Sequence, residues 1–103
     1  MSSEINECSI IVPSCDGYSD AWEPFFAFFF KYWRDCPFKI YLITENKVFP
    51  DSRVITIKLG KDFGWSNNVE MSLKQIPSKY FIYFLEDVFI MKTVDTGRIL
   101  RLL

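Results

Sequence analysis

Histidine is absent from this chain of 103 residues. That excludes the commonest general base at neutral pH and the commonest metal ligand. A base would have to be a carboxylate, and a metal would have to take oxygen ligands. Net charge is nearly absent too: 12 Lys and Arg stand against 13 Asp and Glu, leaving −1. Such a balance offers nucleic acid or an anionic membrane no electrostatic reason to bind. Cysteine is scarce, at three residues, Cys8, Cys15 and Cys36. The number is odd and the spacing is not that of a zinc site. The opening MSSEINE is polar, with no secretory signal, so the expectation is reduced thiols in a cytoplasmic protein. No apolar run approaches the ~20 residues of a transmembrane segment. The longest aromatic run, FFAFFF, is flanked by Glu23, Pro24, Lys31, Arg34 and Asp35 and reads as a buried helix face. An interfacial helix at the inner face of a membrane is the alternative.

Hydrophobic and aromatic residues are plentiful, at 50% and 18% of the chain. One domain with one core is within reach of this length. No repeat and no low-complexity stretch interrupts it.

CSIIVPS (8–14) is a β-branched apolar run stopped by proline and predicts a buried strand. After the turn residues of SCDGYSD, Asp20 and Glu23 have the spacing of a helix capping box. On that reading Pro24 is tolerated because it falls in the first turn. Trp22, Phe25, Phe26, Phe29 and Trp33 recur at helical spacing and predict one buried stripe, ended by Asp35-Cys36-Pro37. FKIYLIT (38–44) and RVITIKL (53–59) predict two more strands. The connection ENKVFPDS is shorter than a usual parallel crossover, yet extended it reaches about 27 Å, enough to retrace a strand of roughly 17 Å. A hairpin is the competing reading.

GKDFGWSNNVEMSLKQI then supplies a polar loop and a helix. Asn67 and Glu70 form a second cap-like pair, and Val69, Leu73 and Ile76 the buried face. SKYFIYFLED is a fourth strand, apolar enough to be a central parallel one. Asp95 reads as the N-cap of a last helix, TGRILRLL, whose apolar side finds no later partner. The expectation is a chain cut short, or one that pairs with another surface or with itself. The predicted order is strand, helix, strand, strand, helix, strand, helix. It argues for an α/β fold, a Rossmann-like three-layer domain with a mainly parallel four-stranded sheet, as a single unit over 1–103.

In a parallel sheet ligands bind at the carboxyl ends of the strands. Ser14, Asp16, Gly17, Tyr18 and Asp20 follow the first strand, and Thr44, Glu45 and Asn46 the second. Gly60, Asp62, Gly64, Trp65, Ser66 and Asn67 follow the third, and Glu86 and Asp87 the fourth. Ionised carboxylates are rarely buried unpaired, so Glu86 and Asp87, inside YFIYFLEDVFIM, should open onto a cleft. An acidic cleft fits the hydroxyl and N–H donors of a sugar or nucleoside, or a pyrophosphate carried with Mg²⁺ or Mn²⁺. Tyr18 and Trp65 could stack on a base or a sugar. Backbone N–H groups at the start of the Asn67 helix could meet an anion.

SIIVPSCDGYSD, IYLITEN, GWSNN and YFIYFLEDVF, in this order, resemble the nucleotide-binding half of GT-A-type glycosyltransferases, nearest to family-2-like bacterial enzymes of surface-polysaccharide synthesis. The resemblance covers nearly all of this chain but only the first half of a typical enzyme domain. It implies binding of a nucleotide-diphosphate sugar for transfer to a glycan acceptor, with the acceptor half and the catalytic base outside the chain. It places Pro13, Ser14, Asp16 and Tyr18 near the base or ribose, Glu45 on the base, and Gly64, Trp65, Ser66 and Asn67 near the donor. It implies a divalent cation, Mn²⁺ or Mg²⁺, held by Asp87 and then Glu86. Val88 stands where the family's D-x-D motif has its second aspartate. Two other readings remain at this stage. One is a non-catalytic α/β interaction or oligomerisation module; the other is a receiver-like domain of flavodoxin-like topology.

Overall fold

The computed structural model describes residues 8–84 and residue 96. Glu86, Asp87 and the expected last helix lie outside the described residues.

Among the described residues four strands and two helices form three layers. Strand β1 (Cys8–Pro13) is followed by a short 3-10 turn (Asp16–Tyr18) and helix α1 (Ser19–Tyr32). Then come β2 (Lys39–Thr44), β3 (Val54–Lys58), helix α2 (Trp65–Leu73) and β4 (Tyr80–Tyr83). The sheet order is β3-β2-β1-β4 and every pairing is parallel. One row of side chains, Ile82, Ile10, Ile40 and Val54, runs in register across all four strands.

The two faces of β1 explain the layering. Cys8, Ile10 and Val12 point to one side, where Ile40, Leu42 and Val54 join them under Trp22, Phe25, Phe26, Phe29 and Trp33 of α1 and its end. Ile11 points to the other, with Tyr41, Ile43 and Ile57, and meets Val69 of α2 and Ile76. The predicted aromatic stripe is buried at all five of its positions. Its rings pack tilted and edge-on, as the ring quadrupole favours: Phe29 meets Phe30 at 5.3 Å and 75°, and Phe84 at 5.5 Å and 81°. Thr96 joins this side through its hydroxyl, which accepts from Trp33 Nε1–H at 2.8 Å and donates to Asp35 at 2.7 Å.

The β2–β3 connection is a parallel return without a helix, and the hairpin reading is set aside by the register Ile40↔Val54 to Thr44↔Lys58. Residues 45–53 pack on the α1 face, where Phe49 stacks on Phe26 at 4.9 Å. The helix-like role in this crossover is thus taken by one aromatic side chain. Thr44 Oγ1 donates to the Lys47 carbonyl at 2.7 Å and turns the chain as it leaves β2. The step from β3 back past β1 to β4 reverses direction and carries α2 on the opposite face, as right-handed crossovers require. A flavodoxin-like order would place β1 between β2 and β3. Here β2 lies between β1 and β3, so the receiver-like topology does not apply.

Several local expectations are corrected. Asp20 and Glu23 do not form a capping box: α1 starts at Ser19, with Tyr18 at the N-cap and no side-chain cap bond. The 3-10 turn leads the chain directly into the helix and makes a side-chain cap unnecessary. Pro24 therefore stands in the second turn, where its missing N–H leaves the Asp20 carbonyl without its helical donor. Asn67 and Glu70 do not cap α2, because that helix begins two residues earlier, at Trp65. Asn67 Nδ2 instead donates to the Phe63 carbonyl, and Glu70 lies 3.7 Å from Lys74. Finally, β4 is an edge strand of the described sheet, with Tyr80 and Tyr83 each 47% exposed. The strand buried along its whole length is β1.

Candidate functional site at the strand ends

All four strands point the same way, so their carboxyl ends share one rim, which the described turns after β1, β2 and β3 line. The turns after β1 and β2 are locked together there. The Asp16 carboxylate accepts backbone N–H bonds from Glu45 (3.3 Å), Asn46 (3.2 and 3.1 Å) and Lys47 (3.1 Å). In return Glu45 Oε1 accepts the Asp16 N–H at 3.3 Å. Next to them the indole N–H of Trp22 donates to Ser14 Oγ at 2.8 Å. Trp22 thus serves the core with its rings and the rim with its nitrogen. The end of β3 is tied in by Gly60 N–H to the Glu45 carbonyl at 2.8 Å.

These bonds set the charge of the rim. Burial pushes the Asp16 carboxyl pKa up. The N–H groups of Lys47, Asn46 and Glu45 and the charge of Lys47 outweigh this and leave it below the ordinary value. A group with a depressed folded pKa contributes stability above its unfolded pKa and loses it as pH falls through the folded one. The expected result is a loss of stability as pH drops below about 4, smaller in Asp16→Asn than in the wild type. Asp51 and Asp62 are depressed as well, so the difference between the two proteins is the measurement. An NMR titration that put the Asp16 midpoint at or above the ordinary carboxylate value would remove the cradle from consideration.

A second unit lies after β3. Asp62 Oδ1 accepts from Gly64 N–H at 2.8 Å and from Asn68 Nδ2 at 2.9 Å, and Asn68 Oδ1 accepts the Phe63 N–H at 2.9 Å. Gly64, with φ 92°, is the N-cap of α2. The N–H of Gly64 and the Asn68 amide hold the Asp62 carboxyl below its usual pKa, burial opposing. The true start of α2 is therefore set by Asp62 and Asn68. Neither was a predicted site residue, although the D-x-G spacing of an Asx turn announced the first.

The predicted site residues divide as follows. Ser14, Asp16 and Glu45 are brought together. Pro13 is the buried last residue of β1, paired with Ile43. Tyr18 is 61% exposed beside the cradle, and Trp65 is 59% exposed on the first turn of α2. Gly64, Ser66 and Asn67 belong to the second unit, which is closed on itself by Asp62 and Asn68. Glu86 and Asp87 lie outside the described residues. The Phe84 N–H donates to the Ile11 carbonyl at 3.0 Å, between β1 and β4. That is where the strand order reverses, the place at which open α/β sheets bind ligands.

Among the described residues no group of three or more Cys, Asp or Glu side chains comes together to hold a metal. The donors already aimed at Asp16 suit an anion and oppose a cation, so the cradle does not fit Mn²⁺ or Mg²⁺. No buried side-chain nitrogen or oxygen among these residues lacks a partner. No helix among them is long and apolar enough to cross a membrane. Comparison with protein families, curated proteins and solved structures finds no match for this chain.

Proposed function

We propose that the chain is the donor-binding half of a GT-A-type glycosyltransferase, taking a nucleotide-diphosphate sugar at the carboxyl rim of the sheet for transfer to a glycan acceptor. The observation that carries this reading is the all-parallel β3-β2-β1-β4 order. It gives a switch point between β1 and β4, flanked by a rim that is built rather than loose. The 3-10 turn is pinned to the end of β2 through Asp16 and Glu45. That pinning holds Tyr18, exposed and aromatic, where a base can stack on it. Ser14 and Glu45 supply polar atoms for a ribose or base edge. Trp65 and Ser66 open α2, whose first N–H groups favour an anion. In this reading Asp87, with Glu86, holds the divalent cation of the diphosphate.

The test is binding. Uridine, guanosine and cytidine diphosphates and their sugars are titrated with and without Mn²⁺ while the melting temperature is followed. At a ligand concentration ~100 times the dissociation constant the stabilisation should be about 2.7 kcal/mol. Tyr18→Ala should weaken binding by ~1–3 kcal/mol, the worth of one stacked base, and leave the melting of the free protein unchanged. If no nucleotide shifts the melting, the reading fails.

A further inference from the structure

A large cavity among the described residues lies on the α1 face and reaches the strand-end rim only at Ser19 and Lys47. It lies between α1 and the 47–53 segment, as an open groove of about 920 Å³. That is within the roughly 300–1,000 Å³ range of small-molecule sites. Its floor is aromatic: Phe26 stacks on Phe30 at 6.0 Å and on Phe49 at 4.9 Å. Ala27 on the helix and Val48 on the loop form its apolar walls, Val48 being 54% exposed.

The charge around this floor is one-sided, although the whole chain carries only −1. Lys31, Arg34, Lys47 and Arg53 line the groove against Glu23 and Asp51. Asp51 is already spent on Arg53, with bonds of 3.0 and 2.7 Å from the guanidinium. The same guanidinium lies over the Phe30 ring at 3.7 Å from its centroid, so Arg53 is fixed at the mouth. Lys47 Nζ donates to Ser19 Oγ at 3.0 Å at the rim end of the groove. Lys31, on the last turn of α1 with its Nζ 5.2 Å from the Tyr32 ring centroid, and Arg34, in the turn just after the helix, also line the groove, without a carboxylate partner among the described residues.

We infer that this groove binds a free single-chain amphiphile with a phosphate monoester head. The chain lies along Ala27, Phe30, Val48 and Phe49, over the buried Phe26, and the head sits between Lys31 and Arg34. Two unpaired cations match the two charges of such a head, and the arginine fork suits phosphate geometry. The apolar floor sets the ligand apart from inorganic phosphate, which would leave it wet. This groove lies on the α1 face and does not depend on the nucleotide reading.

Calorimetric titration with octyl phosphate, below its aggregation threshold, tests the inference. Saturable single-site binding is expected. Octanoate and inorganic phosphate should bind roughly tenfold more weakly or less, since each lacks a charge or the chain. Octyltrimethylammonium should not bind. Lys31→Gln with Arg34→Gln should weaken octyl phosphate about tenfold or more, and added salt should do the same in the wild type. Ala27→Trp, on an exposed position of α1, should fill the groove and abolish binding, with circular dichroism reporting the fold. If Ala27→Trp does not fold, the double glutamine variant decides. Absent binding, equal affinity for the cationic amphiphile, or a double variant that binds as tightly as wild type would each overturn the assignment.

Discussion

Phe29→Ala is expected to lower the unfolding free energy by about 3–5 kcal/mol, the range for deleting a fully buried aromatic ring. Phe29 is 0% exposed and sits at the centre of the α1 stripe, with Trp33 and Phe84 ring centroids each at 5.5 Å. No neighbour can follow the lost ring inward, because Ile10, Val12 and Leu42 beneath it are held in register by the sheet. A domain of this size has a total stability of roughly 5–15 kcal/mol, so the loss is a large share of it. Urea unfolding should show a lower midpoint with an unchanged slope. A loss under about 1 kcal/mol would mean that α1 does not close this face of the core.

Gly64→Ala should cost about 1–3 kcal/mol, although an added Cβ would meet no atom within 4 Å. The cause is the backbone: Gly64 has φ 92° and ψ 149°, a region that L side chains rarely enter. Gly17→Ala is the control. Its Cβ would touch only Cys15 Sγ at 3.9 Å, an ordinary contact, and no positive φ is involved. That change should be neutral or should stabilise by about 0.4–1 kcal/mol through the unfolded chain. Denaturant midpoints of the two variants separate backbone strain from lost flexibility. Equal effects would show that the turn before α2 is not strained.

The two strand-end units are built on one device. A short acidic side chain, Asp16 or Asp62, accepts backbone N–H groups that the turn leaves without partners. Each carboxylate thereby stiffens a loop and spends its own charge. The Asp16 cradle is the more far-reaching, because its donors come from the next strand's turn. It converts two loops into one rim and presents Tyr18 from it. This also changes what the acids mean. Read from composition, Asp16 and Glu45 make an acidic cleft; in the folded chain Asp16 acts as a clamp, Tyr18 is the exposed aromatic edge, and Ser14 is half-buried beside it.

What could be read from the residues alone follows from short-range periodicity. Alternation and β-branching announced β1, β2 and β3, and the spacing of Trp22, Phe25, Phe26, Phe29 and Trp33 announced the buried face of α1. Those signals depend on the backbone's own repeat and need no knowledge of neighbours. Helix starts were less legible: Asp20-x-x-Glu23 and Asn67-x-x-Glu70 imitate caps, but a 3-10 turn and a glycine begin the two helices instead. The tertiary structure alone decided the direction of β3, the edge position of β4, and the partners of Asp16, Asp62 and Asn68. It also placed Phe49 on Phe26 and opened the groove beside them. Apart from the Asp62 and Asn68 bonds, which stay within six residues, each of these joins residues far apart in the chain, and such pairings are chosen by the shared burial of surfaces that no local pattern encodes.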